Sequence, residues 1–323
     1  MKKYLITGFS GFVSRHFLNL LGRNERDAIV LGIDVNQPNF SLGADGSLSV
    51  KFEIADLLKK ERLNQIIAEF RPDYILHLAS FSSVAYSWRE PVNSFSNNTN
   101  IFLNLLEATR GAGLNPRILS VGSSEEYGNV DHSPLTEDLP VNPISPYAVA
   151  RVSQEMLSKV YVQGFGMNIV MTRSFNHIGP GQSDVFVIPS FIKQVVSAKI
   201  QGREACELRT GDLSIIRDFV DVRDVVKAYH MLLANGQNGS IYNICSGSGT
   251  SLKEMVDMIA RIVGIEVRTT QDPDLIRPND NRRIIGSNEK LRSELKWHND
   301  ISLFDSLREI VEYWQQRLLA EKN

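Results

Sequence analysis

The sequence predicts a doubly wound parallel α/β sheet followed by a smaller, mostly helical C-terminal part. Three observations lead there. Short apolar runs alternate with helical patterns through roughly the first 175 residues. Those runs are continuously apolar, as strands covered on both faces are. A glycine turn, "TGFSGF", separates the first run from the first helical pattern.

Taken in order, "KYLITG" is the first strand and "FVSRHFLNLLGRN" the first helix, stopped by glycine. "AIVLGID" is the second strand. "LKKERLNQIIAEF" is an amphipathic helix with Leu63, Ile66, Ile67 and Phe70 on one face. "YILHLAS" reads as strand three, and a further strand-like run precedes Asp56. "NIFLNLLEATRGAG" is a helix and "RILSVGSS" strand four. "SPYAVARVSQEMLSKVYVQGFG" is a long helix with Ser145 as N-cap and Pro146 at N1. "NIVMTRSFN" is strand five. After residue 175 the rhythm breaks at the Gly/Pro-rich loop "HIGPGQSDVF". A helix ("DFVDVRDVVKAYHMLLANG") and a strand ("IYNICSG") follow. Two amphipathic helices, "SLKEMVDMIARIVG" and "SLFDSLREIVEYWQQRLL", come last, with little strand between them. Right-handed crossovers make the doubly wound arrangement the default. There are no internal repeats.

Composition narrows the function classes. Charged residues are 22% and hydrophobics 42% of the 323, with a net charge of −2, so no basic excess points to nucleic acid. No apolar run reaches the roughly 18 residues of a membrane span. The N-terminal "MKKYLITGFSGF" has the lysines of a leader, but its glycines suit a folded strand better. Cys206 and Cys245 have no metal-ligand spacing, and a disulfide between them is not expected in a chain of cytoplasmic character. His77 and His177 form no metal cluster. Trp88 is expected to anchor a loop.

Gly8 and Gly11 lie where backbone N–H groups and a helix N-terminus can meet a pyrophosphate. Ser14 occupies the position of a third glycine. Asp34, at the end of strand two, can accept from an adenosine ribose and repel a 2′-phosphate. That favours NAD(H), with NADP(H) as the alternative. Asp56 is placed to face adenine.

"SPYAVAR" puts Tyr147 and Arg151 on one helix face at i and i+4. Spacing alone is weak: with 9 tyrosines and 35 Lys or Arg in 323 residues, about one such pair arises by chance. Tyr313 and Arg317 form a second. What separates the two is context. Strand four ends in "SVGSSEEYG", which places Ser123 at a carboxyl strand end, where doubly wound sheets bind ligands.

These motifs, with "HLAS", "RSFNHIGPGQ", "RDFVDVRDV" and "RPND", give a chain that resembles the extended short-chain dehydrogenase/reductases acting on nucleotide sugars. Among them it is most similar to the GDP-4-keto-6-deoxy-D-mannose reductases that form GDP-D-rhamnose, with the GDP-mannose 4,6-dehydratases as near neighbours. The resemblance implies a homodimer, paired through helices near Asn98–Arg110 and Pro146–Tyr161, and a GDP-linked sugar substrate. It implies a Rossmann cofactor domain (1–174 and 214–246) and a substrate domain (175–213 and 247–323).

It also implies roles. Tyr147 would exchange a proton with sugar O4, and Ser123 would hydrogen-bond the same oxygen. Arg151 stands where the family has lysine; it would favour the phenolate and reach the nicotinamide ribose. Its guanidinium is bulkier than an ammonium, so either activity is retuned or neighbours accommodate it. Lysine at this position is expected to keep or raise activity. Glu125 matches the base of the dehydratases, where it would act at C5. Phe12, Val13, Leu57, Leu78, Ala79 and Asn98 would line the cofactor site. Ser124, Asn176, Arg217, Arg277 and Asp280 would hold the substrate, Asp280 replacing the family's usual glutamate.

Overall fold

The computed structural model describes residues 1–25, 27–41, 48–130, 133–276 and 281–322. Seven parallel strands form the central sheet: β1 (Lys2–Thr7), β2 (Ala28–Asp34), β3 (Leu48–Ile54), β4 (Tyr74–His77), β5 (Arg117–Ser123), β6 (Ile169–Ser174) and, after three strands that lie outside this sheet, β10 (Ile241–Ile244). Their order is β10-β6-β5-β4-β1-β2-β3. The order reverses between β1 and β4, so the chain winds outward in both directions from the middle of the sheet. The run counted third in the sequence is therefore the fourth strand. β3 is the strand-like run before Asp56, and its signal is weak because it is the edge: no residue of "LSVKFEI" is fully buried.

Helices cover both faces. α1 (Phe12–Asn24) and α7 (Val222–Asn235) lie on one side. Phe17, Leu21, Val225 and Tyr229 meet the sheet there. α2 (Lys60–Phe70), α4 (Pro91–Gly111) and α5 (Pro146–Phe165) cover the other. Leu63, Ile67, Phe102 and Leu105 fill that core. Each such side chain contributes about 1.5–3 kcal/mol on burial. α4 begins nine residues earlier than its apolar pattern suggests. The extra turns, "PVNSFSNNT", are polar and start with Pro91 at the first helical position, where a missing N–H costs nothing. Trp88 lies on the short helix α3 (Val84–Arg89) and is 41% exposed, so it does not anchor a loop.

The remaining elements build a second layer beyond the carboxyl ends of the strands. β9 (Ile216–Asp221) pairs with β7 (Asn176–Ile178), β11 (Gly249–Ser251) and β13 (Arg283–Ile284). β8 (Ala205–Thr210) pairs with β12 (Glu266–Gln271). These strands carry α6 (Val187–Ile200), α8 (Leu252–Val263) and α10 (Leu303–Ala320). Phe191, Val195, Met255, Ile259, Leu307 and Trp314 form their shared core. Two segments cross between layers. β9 belongs to the small sheet, whereas Leu291, on α9 (Glu289–Leu295), and Trp297 pack into the core beneath the large one. Cys206 and Cys245 are free and buried.

His77, at the end of β4, is fully buried; its Nδ1 lies 2.9 Å from the Thr7 hydroxyl, and Nε2 has no partner. Burial first, and then the charge of Arg151, push its pKa down to about 3 from 6.5. The folded protein keeps this imidazole neutral, while the unfolded chain protonates it below pH 6.5. Stability is therefore present above pH 6.5 and lost as pH falls toward 3. Between pH 7.5 and 5 the loss from this residue is about 2 kcal/mol. Urea unfolding of wild type and His77→Gln across that range should give curves that converge in acid; parallel curves would remove His77 as the cause.

Candidate active site

A cavity of about 1490 Å³ lies between the carboxyl ends of the large sheet and the second layer. It exceeds a typical small-molecule pocket, about 300–1,000 Å³, and has room for two ligands. One end is built by the glycine turn. Gly8 has φ +69, and a Cβ there would lie 2.6 Å from the Ala79 backbone nitrogen. The turn must therefore be glycine, and it brings β1 and the Leu78–Ala79 segment within van der Waals reach. Gly11 caps α1 without a side-chain hydrogen bond, leaving the first-turn N–H groups for a ligand. Ser14, in place of a third glycine, is fully buried and donates to the Gly8 carbonyl at 2.9 Å. The serine thus locks the turn from behind.

Asp34 accepts from the N–H of Ser10 and of Asn36, each at 3.0 Å, which ties the end of β2 to the glycine turn. Its carboxylate still lines the cavity, as do Gly8, Gly11, Phe12, Val13, Asp56, Leu57, Leu78 and Ala79. Asp56 also caps its own turn by accepting from Leu58 N–H at 2.9 Å. Asn98 does not line the cavity. It is buried and clamps the backbone of Phe81 through both ends of its amide, at 2.7 and 3.1 Å. Its neighbour Asn97 is the one that faces the space.

β5 builds the other end. Its last residue, Ser123, caps the 3₁₀ turn Ser124–Tyr127 by accepting from Glu125 N–H at 3.2 Å. With the oxygen accepting there, the hydroxyl proton is free to point into the cavity. The Ser123 N–H donates to Glu126 Oε1 at 2.7 Å. A Cβ on Gly122 would lie 2.3 Å from that same oxygen, so glycine is required beside it. Burial, and then the adjacent Glu155, push the Glu126 carboxyl well above the usual range. Arg173 grips Glu155 with two hydrogen bonds, at 2.9 and 3.0 Å, and lies over the Tyr127 ring at 4.6 Å. A paired buried cluster of this kind fixes geometry more than it adds stability.

Tyr147 starts α5 behind the Ser145 cap and Pro146, as the sequence predicts. Its phenolic oxygen accepts from Arg151 Nε at 3.2 Å, and the guanidinium stacks 5.2 Å from the ring centre. The rest of Arg151 is held by protein. Nη1 donates to the Val121 carbonyl at 3.0 Å and to Gln154 Oε1 at 2.8 Å, and Nη2 donates to Ser80 Oγ at 2.5 Å. Four of the five guanidinium N–H groups thus have protein acceptors, leaving one for anything else. The second pair makes the same contact without the setting: Arg317 reaches Tyr313 at 3.4 Å on an exposed face and pairs with Glu321 at 3.1 Å.

Toward the second layer, Ser124, Glu125, Asn176 and Arg217 line the cavity with Ser123, Tyr147 and Arg151. Arg217 is buried and donates to the carbonyls of Ile216 and Asn281 at 3.0 and 2.7 Å. Arg277 and Asp280 lie outside the described residues. Ser80 and Gln154 were missed by sequence reasoning. Gln154 had a readable signal, three residues after Arg151 on the same helix. Ser80 had none, since only the fold brings it there. Among the described residues no group of His, Cys, Asp and Glu is arranged to hold a metal ion.

A family model for GDP-mannose 4,6-dehydratase matches residues 5–310. GDP-6-deoxy-D-mannose reductase of Pseudomonas aeruginosa is 33% identical over 322 residues, covering 99% of each chain. The structure of RMD from P. aeruginosa complexed with NADPH superposes with a TM-score of 0.85 at 32% identity, over 98% of this chain and 100% of that one. UDP-glucose 4-epimerase of Thermotoga maritima with UDP-glucose gives 0.86 at 28% identity, over 98% and 99%. With a serine at the end of β5, a tyrosine and basic residue at the start of α5, and a glycine turn after β1, the chain belongs to the GDP-mannose 4,6-dehydratase family of extended short-chain dehydrogenase/reductases, enzymes of nucleotide-sugar chemistry.

Proposed function

We propose that this protein reduces the C4 keto group of a GDP-linked 4-keto-6-deoxy-hexose, of the GDP-4-keto-6-deoxy-D-mannose to GDP-D-rhamnose type. The observation that carries the reading is the convergence of a free Ser123 hydroxyl and an Arg151-supported Tyr147 phenol on one cavity wide enough for two ligands. The full-length relationship to a reductase supports it. On this reading the sheet unit, 1–174 with 214–246, holds the cofactor, and 175–213 with 247–323 the nucleotide sugar. Arg217 and Asn176 are the described candidates for the diphosphate side.

The glycine turn, the uncapped start of α1 and the Asp34 carboxylate fit a nicotinamide dinucleotide. Bound there in its dihydro form, that cofactor supplies the hydride for C4. The residues do the rest. Ser123 donates to O4 and holds it beside Tyr147. The phenol gives O4 its proton, and Arg151 Nε–H, already on the phenolic oxygen, stabilises the phenolate that remains. Glu125 lines the same cavity, and this favours one second reading, a GDP-mannose 4,6-dehydratase with Glu125 removing the C5 proton. A cofactor-binding protein without activity is the least supported, because Ser123 and Tyr147 are both in place.

No helix among the described residues is long and apolar enough to cross a membrane, and we take the protein to act in the cytoplasm. A homodimer is also proposed. Val149, Met156 and Val160 follow one another along a single face of α5 and are all more than a third exposed, with Phe95 exposed on α4.

Five outcomes are expected. Incubation with GDP-4-keto-6-deoxy-mannose and NADH or NADPH should consume the dihydronicotinamide and give a 6-deoxy-hexose by NMR. Tyr147→Phe should lower that turnover by about a thousandfold, roughly 4 kcal/mol, while cofactor binding is unchanged. GDP-mannose alone should give no 4-keto-6-deoxy product; its accumulation, abolished by Glu125→Gln, would install the dehydratase instead. NADH should bind more tightly than NADPH by about tenfold or more, with Asp34→Ala narrowing the gap; equal binding in calorimetric titration would refute the role given to Asp34. Val160→Glu should convert a dimer to a monomer in light scattering, and an unchanged mass would exclude this face.

A further inference from the structure

We infer that Gln154 is a positioning residue for the reaction: together with Ser80 it forms a cradle fitted to a guanidinium, which sets Arg151 against Tyr147. The inference rests on the reading that Tyr147 moves a proton, but not on which sugar accepts it.

The geometry is specific to arginine. Gln154 is 1% exposed, three residues beyond Arg151 on α5. Its amide is used at both ends. Oε1 accepts from Arg151 Nη1 at 2.8 Å, while Nε2 donates to Ser120 Oγ at 2.9 Å and to the Val121 carbonyl at 3.1 Å. The Ser158 hydroxyl donates to the Gln154 backbone carbonyl at 2.9 Å and lies 3.2 Å from Ser120 Oγ, the acceptor of the Gln154 amide. Nη1 is thus pinned between a side-chain oxygen and a β5 carbonyl, and Nη2 is pinned by Ser80 across the β4 end. A planar group held at two nitrogens cannot rotate, so Nε is aimed at the phenolic oxygen. An ammonium is a single point with three donors. With three donors it cannot serve Val121, Gln154, Ser80 and Tyr147 together, so at least one of these buried acceptors loses its donor. The departure from lysine is therefore built into the surrounding core. The expectation that lysine would keep or raise activity is reversed: Arg151→Lys alone should lower turnover.

A double-mutant cycle tests this. Gln154→Leu keeps the volume and removes the polar ends. If it acts through the guanidinium, it should lower kcat about tenfold to a hundredfold with KM and cofactor affinity nearly unchanged. In an Arg151→Lys background the same change should alter kcat by less than about threefold, since no Nη1 remains to be held. An equal loss in both backgrounds, or no loss in either, overturns the inference. Turnover is read on GDP-4-keto-6-deoxy-mannose with NADH or NADPH, and on GDP-mannose. A wild type inactive on the first and active on the second defeats the reductase reading and leaves the cycle measurable. If wild type turns over neither, the pair is read in urea unfolding, where non-additive losses support the cradle and additive losses overturn it.

Discussion

Seven strands run in one direction, and this sends every carboxyl strand end to the same edge of the sheet. Parallel pairing cannot be closed by tight hairpins, so each strand must be followed by a crossover that begins at that edge. The glycine turn after β1, the Asp34 end of β2, the Ser80 segment after β4 and Ser123 at the end of β5 all arise there for this reason. The helix that carries Tyr147 starts at the same edge. Nothing in the local chemistry of Ser80 or Ser123 would bring them near Arg151 without it.

Within that frame, positions are held by buried polar groups at short range. Ser123 is aimed by its own turn and by the Glu126 carboxyl, Glu126 is backed by Arg173 and Glu155, and Arg151 is backed by Gln154 and Ser80. Isolated buried charges and amides are costly, and the neighbours offset much of that cost, although Glu126 Oε2 keeps no hydrogen-bond partner. The result is a floor beneath the cavity that resists rearrangement.

Much of this was legible in the sequence. Apolar runs and the glycine turn located β1, β2, β4, β5, β6 and β10, because strands buried on both faces leave an uninterrupted signal. The Ser145–Pro146 cap marked the start of α5. What escaped was of three kinds. The first turns of α4 are polar and carry no apolar pattern, and β3, an edge strand with no fully buried residue, showed only as a strand-like run before Asp56. Asn98 and Asn97 are adjacent on α4, and only the helix rotation decides which turns toward the cavity. The partners of Arg151 lie on α5, on β5 and in the segment after β4, and only Tyr147 and Gln154 are close in sequence. The pair Tyr313 and Arg317 shows the limit of spacing: the local contact forms equally well where it has no consequence.

The cradle around Arg151 also bears on how such a site can change over time. Lysine and arginine are often treated as freely exchangeable, and their codons can lie one base apart. On the inference above, the exchange is tied to a glutamine one turn away and to a serine in the segment after β4, so a single step to lysine leaves a buried acceptor without its donor. On that inference, a change to lysine is expected to need a matching change at Gln154, so the two positions would vary together rather than independently.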